Sequence, residues 1–262
     1  MYITESTELS NWMDRASLDG RYGIDIEFIR ERTFYPQLAL IQISVGSDLA
    51  LLDPLGDVDL SPLIATVDDP SIIKVVHAGS QDLEILENLS GSIPRAVFDT
   101  QIASAFIGLG LQPSYAATCG QLLDVVVEKG ESWTDWLRRP LTQAQEIYAL
   151  DDVRHLLPLH DVLVSQLEKE GRLPWALDEM KKYERDTTYH PPLEVQVRKV
   201  KRSGTLKEKG LGLLGELFRW REDEAKKKDR PRRRIISDEV LVEVARRSPP
   251  DEDGLRNIRG LD

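Results

Sequence analysis

A mixed α/β body followed by a small all-helical domain is the fold class this sequence predicts, on three observations. Strand-like, β-branched segments crowd the first third of the chain, and helical patterns take over from about residue 80. A polar stretch with paired prolines, "ERDTTYHPPLE", then interrupts the chain. Charge also changes sign along it: residues 1–180 carry a balance of −17, whereas from Lys181 onward 22 Lys and Arg stand against 16 Asp and Glu, a balance of +6.

The elements follow in order. Tyr22–Ile29, Leu38–Val45 and Leu49–Leu52 read as strands, the last two joined by the hairpin turn "GSD". "DPLGDVDLSPL" is turn-rich and leads into a short helical stretch, and "SIIKVV" is a further strand ended by "HAGS". Ser80 is expected to cap a helix through "QDLEILENL". "AVFDTQIASAFIGLG" reads as a strand edge and then a helix closed by glycine. The clearest helix is "LTQAQEIYALDDVRHLLPLHDVLVSQLEKEG". Thr142 and Gln145 give it a capping box, Pro158 is expected to kink or split it, and Gly171 follows its last periodic residue. The domains expected are residues 1–180, a linker at 181–204 and a helical domain at 205–262, with no internal repeat.

The bulk numbers exclude several classes. At 262 residues, 41% apolar and 30% charged, the chain has the composition of a globular protein with room for one large and one small domain. No apolar run approaches the ~20 residues of a membrane helix, and "MYITESTELSNW" lacks the basic patch and apolar stretch of a signal peptide. The single Cys119 excludes an intrachain disulfide and a cysteine zinc cluster. A reducing, cytoplasmic setting and a monomer are the expectations.

Within "GIDIEFI", Ile24, Ile26 and Phe28 alternate with Asp25 and Glu27, so the two carboxylates emerge on one face of a strand. Side by side they repel, and water, a basic partner or a divalent metal must compensate. A strand with one solvated face shows the same alternation, so spacing alone leaves these alternatives open. Asp82 falls in the first turn of a helix, where a carboxylate is favoured in any case. Tyr148 and Asp152, four apart in "YALDD", share one helix face. Asp151 lies about 100° round that helix and is given no ligand role. Asp99 in "FDTQ" is expected to cap a helix or close a turn.

Taken in order, "DIEF", "HAGSQDLE" and "YALDD" resemble the three motifs of the DEDD superfamily of 3′→5′ exonucleases, in its tyrosine-bearing branch. "EFIRERTFYPQLALIQIS", "LLDPLGDVDLSPL", "FDTQIASAF" and "ESWTDWLRRPLTQAQEIYALDDVRHLLPLHDVL" narrow the resemblance to the ribonuclease D family, over roughly Tyr22 to Leu177. The resemblance implies a ribonuclease H-like exonuclease fold, a mixed central sheet flanked by helices. It assigns catalysis to Asp25, Glu27, Asp82, Tyr148 and Asp152, and metal binding to the four carboxylates. It implies two divalent ions, Mg²⁺ or Mn²⁺, roughly 3.5–4 Å apart. Asp25 would bridge them, Glu27 and Asp152 would complete one site, and Asp82 would serve the other largely through water. Tyr148 would orient the attacking water.

Around these lie candidate substrate contacts with structural alternatives. Phe28 is either a wedge at the terminal nucleotide or a core residue. His77 is either a contact near the scissile bond or a structural histidine. Arg30 and Arg32 either hold phosphates or sit on a solvated hairpin edge. Arg138 and Arg139 are further candidate phosphate contacts, whereas Trp133 and Trp136 are expected to pack.

The tail, through "LFRWREDEAKKKDRPRRRIISDEVLVEVA" and "LRNIRGL", resembles the HRDC helical domain, more loosely than the body resembles its family, and without that domain's closing helix. The likeness implies single-stranded nucleic acid held by Lys226, Lys227, Lys228, Arg230, Arg232, Arg233 and Arg234, with affinity falling as salt rises. A solvated helix end is the alternative. The function implied is metal-dependent release of nucleoside 5′-monophosphates from single-stranded RNA 3′ ends, with tRNA precursors as substrate class. A DNA exonuclease of the same superfamily is the nearest alternative. A non-catalytic nucleic-acid adaptor, from another class, predicts a lost carboxylate, and none is lost.

Overall fold

In the computed structural model, which describes residues 1–127, 130 and 134–261, the chain divides into two compact units. The first comprises Met1–Phe28 and Leu38–Tyr189, the second Ile29–Gln37 and His190–Asp262.

The first unit holds a six-stranded sheet: β1 (Tyr2–Ile3), β2 (Arg21–Ile29), β3 (Gln37–Val45), β4 (Asp48–Leu52), β5 (Ile73–Val76) and β6 (Val97–Asp99), in the spatial order β1-β4-β3-β2-β5-β6. β3 and β4 form the expected hairpin, Val45 opposite Asp48, while β5 runs parallel to both β2 and β6. The helices are α1 (Ser6–Asp19), α2 (Ser61–Ile64), α3 (Ser80–Ser90), α4 (Thr100–Phe106), α5 (Tyr115–Leu123), α6 (Gln143–Arg154), α7 (Leu156–Lys169), α8 (Leu173–Met180) and α9 (Asp186–Tyr189).

Alternation along β2 decides how these layers assemble. Tyr22, Ile24 and Ile26 join Leu9, Trp12 and Met13 of α1 and Leu83 and Leu86 of α3 in one core cluster. A second cluster unites Val75 and Phe98 of the sheet with α4, α5, α7 and α8. Gly23, out of phase with the apolar set, is glycine because a Cβ there would run into Ser44 Oγ and lie 3.1 Å from Leu156 Cβ. The strand therefore approaches α7 closely, beside the face that carries Asp25 and Glu27.

The long helix splits as expected, its break at His155 placed so that Pro158, which cannot bond the Arg154 carbonyl, falls in the first turn of α7; the Tyr115 hydroxyl accepts from the His155 amide (3.0 Å) and donates to the Asp151 carbonyl (3.1 Å). Two expectations need correction. Ser80 is the first residue of α3 and not its cap. Gly79 occupies that position, and Asp99 accepts hydrogen bonds from the Ala78 and Gly79 amides at 3.0 and 3.3 Å. The stretch 181–204 is folded rather than extended, with short helical turns at Lys181–Glu184, α9, α10 (Leu193–Lys199) and Ser203–Thr205. Its apolar residues find cores on both sides of the proline pair: Tyr183 in the first cluster, Val197 and Val200 in that of the second unit.

The second unit consists of α10, α11 (Glu208–Lys228), α12 (Arg232–Ile235), α13 (Asp238–Arg247) and α14 (Glu252–Arg256), with the loop that follows β2. Leu214, Phe218, Leu241 and Ala245 join α11 to α13. Arg221, 3% exposed, pairs with Asp238 at 2.7 Å, a buried ion pair that holds these helices in register. No described helix is long and apolar enough to cross a membrane.

Candidate active site

Two elements converge on one cluster. β2 presents Asp25 and Glu27, and α6 presents Tyr148 and Asp152 one turn apart, its start fixed by the Thr142–Gln145 capping box. Asp25, Glu27 and Asp152 each offer a carboxylate oxygen, all within 4.8 Å of one another. Asp82, in the first turn of α3, is 8% exposed and stands outside that trio, close enough for the charges of Asp25 and Glu27 to act on it.

The electrostatics follow from crowding in a shielded place. Burial raises Asp25 to about 6. Burial and then the charge of Asp25 raise Glu27 to about 8. Asp152 rises to about 8 through burial and the charges of Asp25 and Glu27, opposed by a hydrogen bond from Tyr148. Asp82 is raised well above the usual carboxylate range by burial and by the same two charges. Among the described residues no cation pairs with any of the four. The Tyr148 hydroxyl, raised by burial and by the nearby carboxylates, stays protonated across the physiological range. Three hard oxygen donors at this spacing, with no cation beside them among the described residues, fit a hard divalent cation.

The other sequence candidates divide. His77 is structural: its ring nitrogens engage Thr100 Oγ1 at 2.9 Å and the Pro113 carbonyl at 3.1 Å. Arg139 is engaged within the fold: its guanidinium pairs with Asp53 and donates to the carbonyls of Ala39 (2.6 Å) and Trp136 (2.7 Å). Phe28 packs at the edge of the first core cluster. Trp136 is buried 6.0 Å from the Tyr148 ring, while Trp133 lies outside the described residues. Arg30, Arg32 and Arg138 are exposed. Asp151 pairs with Arg154 at 2.7 Å, and Asp99 caps α4 through the Gln101 amide at 2.9 Å. In the tail, Lys228 pairs with Glu224 and Arg232 with Glu222, both at 2.7 Å.

The sequence reading passed over Gln42 and Ser44. Both are buried on β3, and among the described residues neither side chain has a hydrogen-bond partner. The signal was two polar residues inside the apolar run "LALIQISV".

A family model described as 3′-5′ exonuclease matches residues 1–168, and one for the HRDC domain matches residues 210–262. The ribonuclease D of Gluconacetobacter diazotrophicus is 38% identical over 260 residues, 99% of this chain and 66% of that protein. The chain thus spans about two thirds of the length of such relatives. The crystal structure of Escherichia coli RNase D, described as an exoribonuclease involved in structured RNA processing, is 38% identical, with a TM-score of 0.89 over 99% of this chain and 69% of that one. Brucella melitensis NrnC with bound Mg²⁺ is 28% identical, with a TM-score of 0.57 over 72% of this chain and 90% of that one. A 3′-5′ exonuclease model over residues 1–168, an HRDC model over the tail and 38% identity to a ribonuclease D across 99% of this chain have one reading: the chain belongs to the ribonuclease D family.

Proposed function

We propose that this protein is a divalent-metal-dependent 3′→5′ exoribonuclease. It removes nucleoside 5′-monophosphates one at a time from single-stranded 3′ ends of structured RNA, tRNA precursors among them. The observation that carries this reading is the trio Asp25, Glu27 and Asp152, with carboxylate oxygens within 4.8 Å of one another and, among the described residues, no basic side chain paired with them. The likeness to Escherichia coli RNase D supports RNA as the substrate, and the Mg²⁺ bound by NrnC supports the metal.

In this mechanism Asp25, Glu27 and Asp152 would hold the divalent ions, and Asp82 would add negative charge beside them. Bound divalent ions supply a water of lowered pKa and neutralise charge gathering on the phosphate. Tyr148, protonated and one turn from Asp152 on α6, orients the attacking water by hydrogen bond and is too weak an acid to serve as base. Water adds to the terminal phosphorus and the bond to the departing 3′ oxygen breaks, leaving a 5′-monophosphate and a shortened RNA ending in a 3′ hydroxyl.

The test uses a 5′-labelled single-stranded RNA and its DNA counterpart with Mg²⁺, Mn²⁺ or EDTA. Stepwise shortening of RNA, stopped by EDTA and by Asp25→Ala, is expected. Faster shortening of DNA would transfer the assignment to a DNA exonuclease, and binding without shortening would make the protein an adaptor.

A further inference from the structure

Gln42 and Ser44 share one face of β3, and among the described residues neither side chain has a hydrogen-bond partner. A side-chain amide buried without a partner is costly and calls for an explanation.

The place of Gln42 follows from strand register. β2 and β3 are neighbours in the sheet, and the link between them, residues 30–36, is shorter than the dozen or so that a parallel crossover requires, so they run antiparallel. Gly23 and Ser44 meet across this pair, since a Cβ on Gly23 would run into Ser44 Oγ. Two residues further along β2 and two residues back along β3, on the same face, Asp25 stands beside Gln42. Side chains directly opposed in this way have Cβ atoms about 4.5–5.5 Å apart. The same register sets Tyr22 against Val45, Ile24 against Ile43 and Ile26 against Ile41 on the other face, and every one of these belongs to the first core cluster.

The remaining sheet neighbours of Gln42 are mostly apolar. On β4 it opposes Leu51, and Leu40, two residues before it, packs with Leu51 and with Ala149 of α6. Gln42 therefore has two N–H groups and no acceptor, while Asp25, its cross-strand neighbour, is a carboxylate with no donor. A carboxylate presents about four lone-pair sites, so it accepts one N–H and still binds an ion. The residue type matters. A Lys or Arg here would answer the charge of the trio and compete with a cation. A neutral carboxamide orients a carboxylate without neutralising it, so the need for a cation persists. Carboxylates that ligate metal are in turn held by such outer hydrogen bonds.

We propose that Gln42 is a positioning residue for the metal centre: its Nε2–H donates to the Asp25 carboxylate and fixes that group for ion binding. The proposal deepens the metal-dependent reading above and rests on it. Ser44 stands opposite Gly23, which offers no side chain, and has no part in it.

The test compares the full chain with Gln42→Met and Ser44→Ala. Mn²⁺ binding is measured without RNA, from the electron paramagnetic resonance signal of the unbound ion, and thermal unfolding is followed in EDTA. Methionine keeps the unbranched shape of glutamine and removes both N–H donors. Gln42→Met is expected to weaken Mn²⁺ binding about tenfold or more. Its Tm in EDTA is expected to be unchanged or higher, because no hydrogen bond is lost. Ser44→Ala is expected to bind Mn²⁺ like the wild type. A merely structural glutamine gives the opposite pattern, a lower Tm with metal affinity kept. Wild-type affinity in Gln42→Met would overturn the proposal, as would a lower Tm of that variant in EDTA or an equal loss of affinity in Ser44→Ala. Absence of Mn²⁺ binding by the wild type would overturn the metal-dependent reading and this proposal together. Failure to shorten RNA by a wild type that binds Mn²⁺ would overturn the exonuclease assignment and leave this result standing.

Discussion

Glu27→Gln should stabilise the metal-free protein while removing its stabilisation by metal. Burial and the charge of Asp25 raise the Glu27 carboxyl from 4.5 to about 8. Between those values the folded chain keeps a proton that the unfolded chain releases, so stability falls as pH rises through the window and levels off beyond it. The interval corresponds to at most roughly 5 kcal/mol. Glu27 is half-buried rather than fully enclosed, so solvent screening brings the expected gain for the glutamine variant to about 1–3 kcal/mol at pH 8, falling to near zero at pH 4. The assay is urea unfolding in EDTA followed by tryptophan fluorescence, since Trp12 and Trp136 are buried in the first unit. With Mn²⁺ at about 100 times its Kd the wild type should gain about 2.7 kcal/mol; the variant, lacking one ligand, should gain far less, so the order of stabilities inverts. A variant less stable than wild type at pH 8 in EDTA, with an unchanged pH slope, would refute mutual repulsion as the state of this cluster.

Tyr148→Phe should lower kcat for RNA shortening about 10- to 100-fold and leave the Mn²⁺-induced rise in Tm intact; unchanged turnover would remove Tyr148 from the mechanism. Arg139→Ala should cost about 2 kcal/mol in urea unfolding, because Asp53 and two carbonyls lose their donor, without altering the salt slope of RNA binding. Gly23→Ala should cost about 1–3 kcal/mol, because the new methyl group meets Ser44 Oγ and Leu156.

Features encoded by neighbours in sequence were the readable ones. The β3–β4 hairpin followed from alternation flanking "GSD", and the start of α6 from a capping box spanning four residues. The convergence of Asp25 and Glu27 with Asp152 was legible only through motif resemblance, because no local rule brings a strand and a helix more than a hundred residues apart to one point. What escaped was set by long-range competition. Ser80 has the chemistry of a cap, yet the helix starts one residue earlier, with Gly79 at the cap in a turn that Asp99 holds through the Ala78 and Gly79 amides. Arg139 has the chemistry of a phosphate contact, yet Asp53 claims it across 86 residues. Residues 29–37 look like an ordinary hairpin loop, and only Asp229, 195 residues from Phe34, assigns them to the second unit.

Asp99 supplies the contrast that decides which carboxylates here need a cation. It is 1% exposed, more deeply enclosed than Asp82 at 8%. It receives the amides of Ala78, Gly79 and Gln101 and the Tyr183 hydroxyl at 2.7 Å, so its charge is met by four donors within the fold. Asp25 and Glu27 receive no donor among the described residues, and Asp152 receives only Tyr148. A protein that merely tolerated acidic side chains near its core would furnish donors for all of them, as it does for Asp99. Furnishing four for one and no more than a single tyrosine hydroxyl for three that cluster together leaves those three with two ways to lower their energy: to hold protons, at a cost that grows with pH, or to hold metal. Because the proton is the weaker solution above pH 8, the proposed metal dependence and the lower stability expected of the metal-free protein at high pH follow from the same arrangement.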